Sequence, residues 1–325
     1  MPRAVCCPDK FRGTLTAPAA ATAMARGLWE AGVDDVRVLP LADGGEGTLD
    51  ALLAALGGER LPAMVTGPLG DPVQAEWGLL PDGTAVVEMA RASGLALVGE
   101  SNDPVAATTR GTGELIASAA AAGATQILVG VGGSATTDGG LGAVEALGWS
   151  LPVPVTVAYD VDTRFLDAAR IYGPQKGAAA EEIELLTSRL VRRADVYRRR
   201  TGVDVEALRG GGAAGGLAGG LAAIGATLRP GFEVVAEAVG LRERLDNADL
   251  VVTGEGRLDS TSFAGKVVGG VLAAAPAEAR CVVICGQIDE AALDLLPREA
   301  EIISLSGSAG PAEELVRHAA RGAMR

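Results

Sequence analysis

Residues 127–140, Ile-Leu-Val-Gly-Val-Gly-Gly-Ser-Ala-Thr-Thr-Asp-Gly-Gly, constrain the fold more than any other stretch of this chain. An apolar run suited to a buried strand passes directly into glycines, three hydroxyl side chains and one carboxylate, and a helical pattern follows from Leu141. Strand, glycine turn and helix in that order form part of a βα unit. Glycine lets backbone approach a ligand closely, and the amides at a helix start point toward anions. Asp138 is awkward in such a turn unless a cation accompanies it. A phosphate with a divalent metal supplies that cation, so the turn points to phosphoryl transfer rather than to simple phosphate or dinucleotide binding.

The rest of the chain alternates in the same way. Strand-like runs fall at 4–7, 36–41, 127–131, 153–159, 250–253, 282–285 and 301–305. Helical patterns cover about 17–30, 47–56, 113–121, 141–147, 180–199, 215–224, 232–239 and 311–321. Such alternation predicts parallel sheets built from βαβ units, an α/β fold. Residues 63–89 break the pattern, with Pro68-Leu69-Gly70-Asp71-Pro72 and Pro81-Asp82-Gly83 set between short alternating runs, the mark of antiparallel hairpins. The predicted layout has two α/β domains. A discontinuous Rossmann- or flavodoxin-like parallel-sheet domain (1–63 plus 246–325) encloses an inserted mixed-sheet domain (64–245).

Composition narrows the function. Hydrophobic residues make up 48% of the 325 but aromatic residues only 3%, so the elements must pack through small side chains. A net charge of −13 with no basic run interleaved with aromatics argues against a nucleic-acid partner. An anionic substrate therefore needs a local basic pocket. No apolar run reaches the roughly 20 residues of a membrane span, and the N-terminus is too short and polar for a signal peptide, so a cytoplasmic protein is expected. Cys6, Cys7, Cys281 and Cys285 lie in strand-like runs and make no CxxC, which reads as buried thiols in a reducing compartment. His318 is the single histidine and sits in the last helical pattern. That argues against a Ser-His-Asp triad and a histidine-ligated zinc.

Three glycine turns of the first domain carry carboxylates. They are Asp9-Lys10-Phe11-Arg12-Gly13, Ala42-Asp43-Gly44-Gly45-Glu46-Gly47-Thr48 and Thr253-Gly254-Glu255-Gly256-Arg257-Leu258-Asp259. Each alone is equally well a tight turn with a helix cap. Together they would line one crevice with Asp9, Asp43, Glu255 and Asp259 beside Lys10, Arg12 and Arg257, at the strand ends where open α/β sheets bind ligands. In the second domain, Asp160 and Asp162 end a strand, where one or two carboxylates suit Mg²⁺. Lys176 in Gly173-Pro174-Gln175-Lys176-Gly177 suits a phosphate oxygen, although by itself it reads as an exposed turn lysine. The glycine-rich run 210–220 is either a closely packed helix or a backbone cradle. The arginines of the 180–199 helix read as a solvated face. Gly265-Lys266 is followed by Val267, with Ser260 where a P-loop needs glycine, which excludes that loop. Gly130 to Ala135 fits a relaxed GxGxxA, but 152–157 hold no ribose-binding acid.

These motifs, in this order, resemble the bacterial type I glycerate kinase family. Matching segments are 8–17, 41–52, 67–78, 86–95, 108–116, 129–147, 172–177, 212–228, 230–239, 248–259 and 285–286. The resemblance implies ATP-dependent phosphorylation of D-glycerate with Mg²⁺, giving 2-phosphoglycerate rather than 3-phosphoglycerate. It also implies two α/β domains with the active site in the cleft between them. The chain departs from the family at Arg12, where lysine is common, at Thr137, where asparagine is frequent, and in a shortened 151–172.

The expected mechanism follows. Gly132, Gly133, Ser134, Thr136 and Thr137, with Gly212, Gly215 and Gly216, would hold the ATP phosphates, and Asp138 or Asp160 the Mg²⁺. The glycerate carboxylate would meet Arg91, Arg110 or Arg257, in a pocket shared with Arg12, Glu255 and Asp259. Asp43 would take the hydroxyl proton, while Lys10 and Lys176 neutralise charge on the transferring group. The sequence also admits an NAD(P)-dependent dehydrogenase of a small hydroxy acid, or a non-catalytic sensor of phosphorylated acids. Neither needs so many carboxylates beside glycine turns. No nucleic-acid or membrane partner is expected, and a homodimer is compatible with the chain.

Overall fold

The apolar runs near both ends of the chain come together in one sheet. The computed structural model describes residues 2–324. Its strands are β1 (Arg3–Cys6), β2 (Asp35–Val38), β3 (Glu59–Thr66), β4 (Pro72–Leu79), β5 (Thr84–Glu88), β6 (Gln126–Gly130), β7 (Val155–Tyr159), β8 (Thr227–Pro230), β9 (Leu250–Leu258), β10 (Arg280–Ile288) and β11 (Glu301–Ser304). Its helices are α1 (Ala17–Glu30), α2 (Thr48–Leu56), α3 (Ala90–Ser93), α4 (Arg110–Ala121), α5 (Leu141–Ala146), α6 (Ala168–Tyr172), α7 (Ala180–Thr201), α8 (Leu217–Ala223), α9 (Gly231–Ala238), α10 (Leu241–Leu245), α11 (Val267–Ala274) and α12 (Ala312–Gly322). Two units result: Met1–Asp43, Asp50–Gly57 and Phe232–Arg325 form the first, Gly44–Leu49 and Gly58–Gly231 the second.

The first unit holds a parallel sheet in the order β11-β10-β9-β1-β2. Its central strands are buried on both faces, which is why Ala4, Val5 and Cys6, and Val282 to Cys285, read as unbroken apolar runs. Helices α1 and α12 pack together through small residues. A Cβ placed on Gly27 would fall 2.1 Å from the Arg317 carbonyl oxygen. Gly27→Ala is therefore expected to force the two helices apart and to destabilise the protein by about 1–3 kcal/mol, read as a lowered midpoint of chemical unfolding.

The second unit holds a mixed sheet in the order β3-β4-β5-β6-β7-β8. β3, β4 and β5 pair antiparallel, as the turn residues of 63–89 predict, and β5 to β8 are parallel. β8 is absent from the expected strands; four residues ending in Pro230 are too short to show a period. The core gathers Trp77, Leu115, Ile127, Val129 and Val157, and a second cluster under α7 gathers Phe165, Leu186, Leu190 and Tyr197.

Two expectations shift. The chain leaves the first unit at Gly58 rather than near 63, because all of β3 pairs with β4. It returns at Phe232 rather than 246, because the Phe232 ring packs where a Cβ on Gly270 would lie, 2.0 Å from its Cε1. The motif at 253–259 is also no turn: β9 runs through it to Leu258, paired with β10 as far as Ile288. Its glycines serve close approach between backbones, since a Cβ on Gly254 would fall 2.0 Å from the Ile284 carbonyl oxygen. All four cysteines are buried free thiols. Among the described residues no helix is long and apolar enough to cross a membrane.

Candidate active site

In the first unit the carboxyl ends of neighbouring strands β2, β1 and β9 bring Asp43, Asp9 and Glu255 into one row. Backbone bonds from Leu41 N to the Pro8 oxygen (3.0 Å) and from Asp9 N to the Gly254 oxygen (2.9 Å) tie the three ends together. Asp9 is 7% exposed and Asp43 6% exposed. Burial, then repulsion from Asp43, pushes the Asp9 carboxyl up to about 6, against the pull of Lys10 and Lys266. Burial likewise pushes Glu255 up to about 7, with the charges of Asp9 and Asp259 adding, against a hydrogen bond from Ser262 and the charge of Lys266. One oxygen of Glu255, Oε1, is buried without a hydrogen-bond partner. The Lys10 Nζ lies 4.0 Å from Asp43 Oδ1.

The second unit builds its candidate site on the turn between β6 and α5. Gly132 and Gly133 lack side chains because residues 44–49 cross them: a Cβ on Gly132 would fall 2.7 Å from Gly45 Cα, and one on Gly133 would fall 2.0 Å from Glu46 Oε1. The amides of Gly132, Gly133, Thr136 and Thr137 donate to no protein acceptor among the described residues. Thr136 and Thr137 are buried, and their hydroxyls meet no partner. Ser134 bridges to Gly94.

Asp138 is 8% exposed, and both its oxygens are engaged. Oδ2 accepts from Thr109 N (2.9 Å), Thr109 Oγ1 (2.8 Å) and Gly142 N (3.2 Å), and Oδ1 accepts from Gly140 N (2.9 Å). Four donors thus support the Asp138 charge, and the carboxylate ties the turn to the start of α4.

Lys176 corrects the reading of an exposed turn lysine. It is 2% exposed, and its Nζ donates to the Thr136 carbonyl at 2.6 Å. Burial pulls its pKa down to about 7, opposed by the charge of Asp138. Asn102 holds the Lys176 turn against the glycine turn, its Nδ2 donating to the carbonyls of Lys176 (2.8 Å) and Ala135 (3.1 Å).

The run 210–220 is a packing device. A Cβ on Gly215 would lie 2.0 Å from the Thr136 carbonyl oxygen, and Gly139 N donates to the Gly215 carbonyl at 3.1 Å. The amides of Gly212 and Gly216 are used internally, on the Thr163 and Gly212 carbonyls (2.9 and 3.2 Å). These two amides are therefore not offered to a phosphate, contrary to the cradle expectation.

Each expected arginine has its own surroundings. Arg91 is held by Glu88 Oε2 (2.7 Å) and by Glu76, beside the buried Glu88 carboxylate that also accepts from Gly47 N and Leu49 N. Arg110 is paired with Glu114 one turn along α4 (2.9 Å). Arg257 is exposed, 3.8 Å from Asp259 Oδ2. Arg12 is also exposed. Asp259 itself caps the following turn through Thr261 N (2.9 Å). Asp162 is clasped by both ends of the Arg209 guanidinium (2.7 and 2.6 Å).

Other residues enter that sequence reasoning passed over. Lys266, discarded with the P-loop test, carries a charge that favours the ionised forms of Asp9, Glu255 and Asp259. The Gly265-Lys266 pair at the start of a helix, just after the third carboxylate motif, was the available signal. Arg193 runs against the 138–140 turn, its Cγ 3.3 Å from where a Cβ on Gly139 would sit, while the arginines of the last turn of α7 stay exposed as expected. Arg189 donates to the Val105 carbonyl (2.6 Å) and is charge-coupled to Asp138 and Arg193. Thr109 holds Asp138.

Among the described residues no group of three or more His, Cys, Asp or Glu side chains is arranged to hold a metal ion by itself. A Mg²⁺ carried mainly by phosphate oxygens needs only one carboxylate. Asp138 in the glycine turn and Asp160, just past the carboxyl end of β7 beside β6, both have the donor chemistry that fits.

The chain matches the sequence profile of the Glycerate kinase family over residues 4–152 and 151–324. It is 42% identical over 305 residues to the glycerate 2-kinase of Escherichia coli (strain K12), covering 82% of this chain and 80% of that one. It is 38% identical over 353 residues to the glycerate kinase of Bacillus subtilis (strain 168), covering 96% and 92%. The crystal structure of putative glycerate kinase 2 from Salmonella typhimurium LT2 superposes with a TM-score of 0.85 at 37% identity, covering 99% of this chain and 97% of that one. With a family profile matched almost end to end and relatives this similar over most of its length, the chain belongs to the glycerate kinase family.

Proposed function

We propose that the protein transfers the γ-phosphoryl group of ATP to D-glycerate, giving 2-phosphoglycerate and ADP. The family likeness carries this reading, and the E. coli relative's name, glycerate 2-kinase, supports the choice of hydroxyl. The site chemistry agrees with it. Phosphoryl transfer asks a protein mainly for positioning and charge neutralisation.

In the second unit, the accessible and unpaired amides of Gly132 and Gly133 receive phosphate oxygens, with Ser134 and the cations Lys176, Arg189 and Arg193 around the turn. Asp138 and Gly215 shape that turn rather than touch the ligand. When bound, Mg²⁺ held by Asp160 would neutralise phosphate charge. In the first unit, Asp43 takes the acceptor hydroxyl proton as the O–P bond forms, and Lys10 beside it balances the charge that grows on the transferring group. Arg257, the most open of the expected guanidinium groups, receives the acceptor carboxylate.

Incubation of the purified protein with MgATP and D-glycerate, followed by phosphorus NMR, is expected to show ADP and 2-phosphoglycerate in equal amounts. A 3-phosphoglycerate resonance would reassign the hydroxyl. No turnover with glycerate, together with glycerate-dependent reduction of a nicotinamide, would replace the kinase by the dehydrogenase.

A further inference from the structure

Glu88, the last residue of β5, is a buried charge that the mechanism above does not use; it is 3% exposed. A carboxylate at that depth needs donors, and it has three. Its Oε1 accepts from Gly47 N (2.8 Å) and Leu49 N (2.9 Å), and its Oε2 accepts from Arg91 Nε at 2.7 Å. Arg91 is held in turn by Glu76, which also accepts from Arg60 Nη1 at 2.8 Å. Gly47 and Leu49 stand at the start of α2, so a side chain from another element caps that helix.

The segment that Glu88 grips, residues 44–49, lies against the glycine turn, and all of these residues belong to the second unit. A Cβ on Gly130 would fall 2.6 Å from the Gly44 carbonyl oxygen, and one on Gly132 would fall 2.7 Å from Gly45 Cα. The Glu46 side chain runs along Gly133. Thr48 Oγ1 donates to the Gly45 carbonyl at 2.7 Å and closes the segment on itself. The backbone just after Glu88 holds the same turn directly. Met89 N donates to the Gly130 carbonyl (3.0 Å), Leu95 N donates to the Gly133 carbonyl (2.8 Å), and the Ser93 carbonyl accepts from Ala135 N (3.0 Å). Residues 88–95 therefore grip the turn through backbone and, through the Glu88 side chain, grip the segment packed on it. The amides that this double hold leaves open are those of Gly132 and Gly133.

We propose that Glu88 is a positioning residue for phosphate binding: by fixing residues 44–49 it sets the backbone of Gly132 and Gly133, and with it the aim of their amides. The proposal rests on the reading of that turn as the phosphate site and adds the residue that preorganises it. Hydrogen bonds to a charged oxygen weaken steeply when the donor tilts away. Without the Glu88 carboxylate, the amides of Gly47 and Leu49 lose their acceptor and the segment loosens. The Glu46 carboxylate then loses its fixed place along Gly133, and its charge opposes a phosphate on the neighbouring amides.

The test is the dissociation constant of MgADP, measured by titration calorimetry on the full-length protein and its Glu88→Ala and Glu88→Gln variants. Hydrogen exchange at Gly132 and Gly133 is read alongside, with and without MgADP. In the parent, MgADP is expected to slow exchange at both glycines. Glu88→Ala is expected to weaken MgADP binding by about tenfold or more and to lose most of that protection. Glu88→Gln, whose amide oxygen still accepts from Gly47 and Leu49, is expected to return toward the parent. A Glu88 that only supports the fold would lower the unfolding midpoint and leave affinity and protection in the folded protein unchanged; that result overturns the proposal. Should Glu88→Ala fail to fold, Thr48→Val loosens the same segment by removing the bond to Gly45, and MgADP is again expected to bind more weakly. Unchanged affinity there is the contrary result. A parent that does not bind MgADP, or binds it without slowing exchange at Gly132 and Gly133, removes the phosphate reading of the turn and this role with it. Slowed exchange in the parent that persists equally in Glu88→Ala removes the role of Glu88 alone.

Discussion

Asp43→Asn is expected to lower kcat by about 10²- to 10⁴-fold, the usual contribution of a positioned general base. The amide is nearly isosteric with the carboxylate, so the buried site keeps its shape, but it cannot take the acceptor proton. Two local consequences separate this effect from misfolding. Lys10 loses the partner that sits 4.0 Å away, and Asp9 loses the like charge that helps to hold its carboxyl up, so Asp9 ionises more readily in the variant. Thermal unfolding should therefore be little changed while kcat falls. The measurement is steady-state kinetics with both substrates varied. Near-normal turnover with unchanged metal dependence would pass the proton to another group of the row, and Glu255 would be the next to change.

Much of the architecture was legible because period and punctuation are local properties. Apolar runs between glycine turns gave the strands, and the Pro-Gly pairs of 63–89 gave the antiparallel edge. What stayed hidden depends on which backbones touch. Gly254 and Gly256 read as turn formers, but their lack of a side chain serves contacts with the Ile284 carbonyl and the Arg12 amide on neighbouring segments. No one-dimensional pattern separates a glycine kept for its φ from one kept for a 2 Å approach. Lys176 was legible as chemistry but not as position: a lysine between two glycines suggests solvent, and only Asn102 and the Thr136 carbonyl draw it inward. The arginines show the converse failure. Arg91 and Arg110 carry the right functional group, but Glu88, three residues before Arg91 at the end of β5, and Glu114, one turn along α4 from Arg110, pair with them. The i,i+4 spacing of Arg110 and Glu114 was visible in the sequence as a helical ion pair.

Asp138→Ala should produce the largest loss of stability among the site residues, on the order of 3–5 kcal/mol. The carboxylate accepts four hydrogen bonds, three of them from backbone amides, and its removal strands donors from Thr109, Gly140 and Gly142 in a buried turn. Some of that cost is recovered if water enters, which is why the total stays below four separate losses. Asp138→Asn keeps an acceptor oxygen but turns an amide toward groups that also donate, so it should fall between, at about 1–3 kcal/mol. The damage is local before it is global. Thr109 Oγ1 also accepts from Ala143 N at 3.0 Å, so α4 and α5 loosen together, and the Thr136 carbonyl that receives Lys176 lies two residues away. Chemical unfolding gives the magnitude, and hydrogen exchange at residues 109, 140 and 142 locates it. Binding of MgATP should weaken in step with that exchange. The contrary pattern would be full stability in Asp138→Ala with activity recovered only at raised Mg²⁺. That result would return Asp138 to the metal and leave its four donors to be satisfied by solvent, which their burial argues against.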